Sequence, residues 1–156
     1  LPNLADPGVP RDVNWLQGSL PAAEFTKLQA DSAKPNAENA KTYATQAANL
    51  AKLSAAGMKI VVGTDGGVPY AAHLEMEDMV KAGMTPMQVL TSATRNGAAL
   101  LKIDGETGTI AKGKSADFVV LDANPLDNIT NTRKINAVYL RGTAVDRAGY
   151  AAKWTK

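Results

Sequence analysis

The sequence predicts an α/β fold, and three observations carry that prediction. A helical period running from Asn36 stops at Gly57 and hands over at once to an apolar run, Met58 to Val62. That run is short, β-branched and closed by Gly63. Beyond Gly105 the composition turns from helical to β. A short apolar segment of this kind reads as a strand buried on both faces, as in a parallel sheet. The rest of the chain is arranged around Lys59 to His73, KIVVGTDGGVPYAAH, in which the strand leads through Gly63 and Thr64 to one carboxylate, Asp65, followed by Gly66 and Gly67. An acid at the carboxyl end of a parallel strand stands where α/β proteins place their chemistry. An Asp ahead of glycines also serves as a plain turn residue that bonds its own backbone, so on spacing alone both readings stand.

Composition bounds the possibilities. The chain has 156 residues, enough to bury a core of its own, with 45% hydrophobic and 21% charged residues, as in ordinary soluble proteins. Its net charge of +2 comes from 17 basic and 15 acidic residues scattered along the chain, with no basic stripe and only 5% aromatic residues, which argues against a nucleic-acid partner. No apolar stretch approaches the roughly 18 residues of a spanning helix. The start, LPNLADPGVP, lacks an initiator Met and both parts of a signal peptide, so Leu1 reads as an internal position of something longer, and the compartment is open. Cysteine is absent and His73 is the one histidine. A zinc site typically takes three or four protein ligands, mostly Cys and His, so any such site within this chain is incomplete.

Each element then has its own signals. Residues 1–36 read as a long loop with a short helix near Pro21 to Ala30, Pro21 suiting a first helical turn. Asn36 is a good N-cap, and Ala40, Tyr43, Ala47, Leu50, Ala51 and Ser54 recur at helical spacing, predicting a helix packed on an alanine face and stopped by Gly57. After Asp65 comes a helix over about His73 to Ala82 with Gly83 beyond its end. Thr85-Pro86-Met87-Gln88 spells a capping box with Pro at N1. The helix it opens is expected to run to about Leu101, its inner face Met87, Leu90, Thr91, Thr94, Ala98 and Leu101. Gly108 to Ile110, the turn Ala111 to Lys114 and the run Asp117 to Asp122 predict a hairpin, and Ile135 to Arg141 a further strand, with Val145 near the start of another. So few short strands need other strands or a helix to cover them.

Among chemistry-bearing residues, Asp65 is the first candidate, as metal ligand, as general base for a water, or both. His73, near a helix start, is a candidate for facing a ligand, although a lone histidine is more often a satisfied structural group. Gly66 and Gly67 either let a substrate approach the backbone or merely make the turn; without a following Gly-Lys-Ser/Thr they form no phosphate loop. Glu75, Glu77 and Asp78 are read as first-turn acids favoured by the helix dipole. Asp117 and Asp122 are read as turn acids, and Thr94 and Asn96 as groups able to bond toward the strand.

The order GTDGG, then HLEMEDMVKAGMTPMQVLTSATRNGAALL, then GTIAKGKSADFVVLDANPLDNI and INAVYLRG resembles the carboxyl-terminal part of the metal-dependent amidohydrolase superfamily, in the branch of imidazolonepropionase-like and prolidase-like enzymes. The resemblance spans roughly Asn36 to Gly142. It implies residues 37–104 as the last strand and helices of a (β/α)8 TIM-like barrel and residues 105–156 as carboxyl-terminal strands of a composite β-sandwich, with 1–36 as a loop-rich approach. It implies Asp65 as catalytic acid-base and metal ligand, His73 with Gly66 and Gly67 beside the substrate, and Gly113, Lys114 and Asp117 as a turn signature. One or two divalent metals, zinc by preference, are implied as cofactors. The family's His-x-His pair, its bridging group and its other histidines have no counterparts here and would lie upstream of Leu1.

The expected function is therefore part of a metal-dependent hydrolase of amide, peptide or cyclic-amide C–N bonds, acting on a small-molecule or dipeptide substrate. The remainder of the barrel, in the same parent chain or a second polypeptide, is the expected partner; nucleic acid and membrane are not. The segment alone is expected to be inactive. Two alternatives stay open: a non-catalytic binding or assembly module, and a magnesium-dependent α/β enzyme using Asp65, since carboxylate sites hold Mg2+ without histidine.

Overall fold

The structure is a computed structural model that describes residues 7–64, 68 and 70–154. Helices α1 (Ala22–Ser32), α2 (Ala37–Ala55), α3 (Ala71–Lys81), α4 (Pro86–Ala93) and α5 (Arg95–Leu100) precede strands β1 (Phe118–Leu121), β2 (Ile135–Leu140) and β3 (Thr143–Ala144), and α6 (Arg147–Trp154) follows them. Short 3-10 turns lie at Asn14–Leu16 and Ile129–Arg133.

Local signals set several boundaries as expected. The Asn36 side chain accepts from the N–H groups of Glu38 and Asn39 and starts α2, while Gly57 takes φ +78° just past its end. Both halves of the Thr85–Gln88 capping box form, with Pro86 as the first residue of α4. The expected α4 helix, however, breaks at Thr94, where φ −126° and ψ −86° separate α4 from α5. Ser92 and Thr94 both turn their hydroxyls back on carbonyls of their own helix, those of Gln88 (2.8 Å) and Leu90 (2.7 Å), a pattern that bends helices. The break rotates the inner face: Val89, Ser92 and Ala98 are buried, whereas Met87 and Leu101 are exposed.

The core lies where α3, α4 and the turn Ile129–Arg133 meet, and consists of Met76, Met79, Met84, Val89 and Ile129. Leu50, Ile60, Val62, Val80 and Leu90 pack around it. Three methionines fill a junction of elements crossing at different angles, a task for which a flexible unbranched side chain is suited. Contrary to expectation, α2 contributes no fully buried residue. Leu50 is the residue of α2 that packs against the core.

Residues 58–62 do not form the expected strand. A strand is defined by a ladder with a neighbour, and among the described residues none lies alongside. The segment's polar groups go elsewhere: the Val62 N–H donates to the Ser92 carbonyl (3.3 Å), and the Asn96 amide donates to the Ile60 carbonyl (2.8 Å). The expected Asn96 bond toward this segment is therefore present, whereas Thr94 spends its hydroxyl inside α4.

The predicted hairpin is also corrected. Among the described residues the one sheet has order β1-β2-β3, both pairs antiparallel, with Phe118 opposite Tyr139 and Leu140 opposite Thr143. Residues 108–110 belong to no strand; the segment is instead tied down by Lys114, whose ammonium donates to the Asp104 carbonyl and the Thr109 hydroxyl, both at 2.6 Å. Gly108, at φ +85°, lies so close to α5 that a Cβ there would come within 2.5 Å of the Ala98 Cβ. Asp117 accepts the Arg141 N–H at 2.6 Å, which holds its carboxyl below the ordinary range, and Asp122 accepts from the Asn136 amide at 2.8 Å; both acids fasten the ends of the β1–β2 ladder. No residue of β1, β2 or β3 is fully buried.

Candidate functional site

Asp65, Gly66 and Gly67, the acid and the glycines that the sequence singles out, lie outside the described residues. Their flanks are defined. On one side stands the segment Ile60 to Thr64, anchored by Asn96 and Ser92. On the other, Tyr70 precedes α3, and His73 lies in the first turn of that helix.

His73 is half-buried and enclosed on several sides. Its Nδ1 lies 3.1 Å from the Thr132 hydroxyl, which itself donates to the Ile129 carbonyl at 2.9 Å. The Trp15 ring meets His73 edge to face at 5.6 Å and 82°, and meets Tyr70 in the same manner at 6.5 Å and 87°. The Arg133 guanidinium stands over the Trp15 ring at 4.4 Å, a cation–π contact. Arg133 is fixed in turn by Glu77, which accepts from Nε at 2.6 Å and from a terminal nitrogen as well, a forked ion pair. Burial pushes the His73 imidazole below its ordinary pKa, and the Arg133 charge adds to the effect. Among the described residues the buried indole N–H of Trp15 has no acceptor.

The acids of α3 do not occupy its first turn, so the helix-dipole reading of Glu75, Glu77 and Asp78 is replaced by tertiary pairing. Glu77 holds Arg133. Asp78, only 2% exposed, is paired with Arg11 and approached by Lys81 at 3.4 Å. Burial nevertheless pushes the Asp78 carboxyl up, against the pull of both cations. The Tyr43 hydroxyl donates to the Asp78 carbonyl at 2.8 Å, and burial raises its pKa to about 12. Glu75 is pushed to about 7 by burial first and by the neighbouring Asp78 second. The Arg11–Asp78 pair and the bond from the Asn36 N–H to the Gly8 carbonyl (2.9 Å) hold the amino-terminal segment in place and thereby set Trp15 against His73.

Sequence reasoning identified His73 but not Trp15, Thr132 or Arg133, which come to it from distant segments. The spacing of such residues carries no signal; their meeting is a tertiary fact. Among the described residues no three His, Cys, Asp or Glu side chains are grouped so as to hold a metal ion.

An α/β chain whose helices lead into a small antiparallel sheet matches a known class. The model of the amidohydrolase family matches residues 10–145, and the chain belongs to that family. It is 33% identical over 96 residues to the imidazolonepropionase of Thermoanaerobacter pseudethanolicus, a match covering 58% of this chain and 23% of that protein. Among solved structures it resembles phenylurea hydrolase B (TM-score 0.62, 28% identity, 90% of this chain and 32% of the other). It also resembles a Xaa-Pro dipeptidase with bound methionine in its active site (TM-score 0.59, 28% identity, 85% and 34%). The chain thus spans about a quarter to a third of the length of these relatives. The likeness is to the imidazolonepropionase-like and prolidase-like branch, and it implies a TIM-barrel-type fold. No helix among the described residues is long and apolar enough to cross a membrane.

Proposed function

We propose that this chain forms part of a metal-dependent hydrolase that cleaves C–N bonds of amide, peptide or cyclic-amide type in a small molecule or dipeptide. The family match over residues 10–145, with Asp65 placed directly after the anchored segment Ile60 to Thr64, carries this reading. Residues 37–104 then belong to the barrel and residues 105–156 to a sandwich whose other strands, like the remainder of the barrel, come from outside this sequence. The exposed faces of β1 and β2 are in keeping with such a covering.

Asp65 is assigned as the base that takes a proton from the attacking water and returns it to the leaving nitrogen, and as one ligand of a divalent metal, zinc by preference. Such a metal supplies polarisation of the scissile carbonyl and a more acidic water. The described residues do not assemble its remaining ligands, so the isolated chain is expected to be inactive. Gly66, Gly67 and His73 border the substrate.

The test is Asp65→Asn in the enzyme that contains this chain, assayed with Xaa-Pro dipeptides and with imidazolonepropionate, the substrate types that the relatives' names indicate. Turnover should fall by about 10²- to 10⁴-fold, the usual worth of a positioned acid-base group, with unfolding unchanged. Near-normal turnover in a folded variant would remove Asp65 from the chemistry and favour a binding module.

A further inference from the structure

The surroundings of His73 contain more information than its proximity to a substrate. Thr132 Oγ1 has two close polar neighbours, the Ile129 carbonyl at 2.9 Å and His73 Nδ1 at 3.1 Å, and only one hydrogen to give. A carbonyl oxygen carries no hydrogen, so the 2.9 Å contact between two oxygens is attractive only if the Thr132 hydroxyl donates there. The other contact must then be made by a hydrogen on His73, which places a proton on Nδ1. The opposite assignment would leave lone pairs facing each other at a buried threonine, 6% exposed, where water cannot relieve them.

The second question is whether Nε2 is protonated too. Arg133 adds positive charge beside the ring, and Glu77 is already committed to Arg133 through a forked pair. Among the described residues, the Tyr70 ring also turns toward this cluster, across Trp15. Burial and the Arg133 charge both lower the imidazole pKa, so the described surroundings favour the neutral ring. The Trp15 edge fixes the ring plane.

We infer that His73 is held as the neutral Nδ1–H tautomer and meets its ligand through the Nε2 lone pair, as an acceptor for an N–H or O–H of a neutral amide or cyclic-amide group. Thr132 is the positioning residue that sets this polarity. The inference rests on the proposed function only in placing the substrate beside His73; the tautomer itself does not depend on it.

The single histidine makes the experiment direct. In the chain labelled with 15N-histidine, proton–nitrogen spectra at neutral pH should show a proton-bearing Nδ1 and a bare Nε2. In the enzyme that contains this chain, hydantoin, a cyclic amide with N–H donors, should shift the His73 Nε2 signal, and 1,3-dimethylhydantoin, which has none, should shift it at least ten-fold less at equal concentration. Thr132→Val should mix the tautomers and Thr132→Ser should keep the wild-type pattern; the serine variant and the wild-type spectrum decide the matter if the valine variant fails to fold. An Nε2–H tautomer or an imidazolium in the wild type overturns the inference. So does an equal response to the two probes, no response to hydantoin, or a shift of Nε2 on adding Zn2+ alone, which would make His73 a metal ligand. None of these outcomes bears on Asp65, whose loss of turnover tests the hydrolase reading separately.

Discussion

Helices α2 and α3 lie side by side and are built on opposite principles. The 19-residue α2 has a side-chain cap at Asn36, an alanine-rich sequence and no fully buried residue. The 11-residue α3 has no side-chain cap, yet it buries Met76, Glu77, Asp78 and Met79. One is specified by its own sequence through propensity and end chemistry; the other is specified by what surrounds it. Short helices are marginal in isolation, so α3 depends on its core methionines and on the two arginines that reach its acids from residues 11 and 133.

The contrast is broken most severely at Met79, 2% exposed in the core. Met79→Ala should cost about 2–5 kcal/mol in urea-unfolding free energy, through lost transfer and an unfilled cavity. A loss below about 1 kcal/mol would mean that α3 is as self-sufficient as α2.

Glu75 offers a smaller effect with a distinctive pH signature. Its pKa in the fold is about 7 against an ordinary 4.5, so the folded chain holds this proton more tightly than the unfolded one does. Its contribution to stability is fully present below pH 4.5 and is lost as pH rises through about 7. The side chain is only half-buried, so after solvent screening Glu75→Gln should gain on the order of 1 kcal/mol at pH 8 and nothing near pH 4. His73 works in the opposite direction: its pKa is lowered from 6.5, so its contribution is present above that value and is lost as pH falls below it. Stability curves of Glu75→Gln and wild type that run parallel between pH 4 and 8 would contradict the Glu75 assignment.

The smallest effect is expected at the cap of α2. Asn36→Ala removes an acceptor for two backbone N–H groups and should cost about 1 kcal/mol, with the loss of helical circular dichroism confined to a frayed first turn. A cost equal to that of Met79→Ala would show the two helices to be specified alike.

The same contrast explains what could be read in advance. The Asn36 cap, the Thr85–Gln88 box, Gly57, Gly83 and strand β2 were legible because each is a local device. The break at Thr94 was not, since two hydroxyls turning back onto their own helix look in sequence like any Ser and Thr on a helical face. The pairing of β1 with β2 instead of with residues 108–110 was hidden for a different reason. Lys114 ties the loop down through the Asp104 carbonyl and the Thr109 hydroxyl, and nothing in a lysine's spacing announces that. Of the candidate site, His73 was legible as a residue type, whereas its environment of Trp15, Thr132 and Arg133 exists only once three separate segments have met.

The fit of Gly108 against Ala98 has an evolutionary consequence. A Cβ at position 108 would lie 2.5 Å from the Ala98 Cβ and 3.3 Å from the Thr94 carbonyl, at a backbone angle that side chains rarely adopt. The two positions are therefore not free to drift separately. Any lineage that enlarges residue 98 must first move the loop at residue 108 away from α5, and a library randomised at both sites should return glycine at 108 almost regardless of what it tolerates at 98.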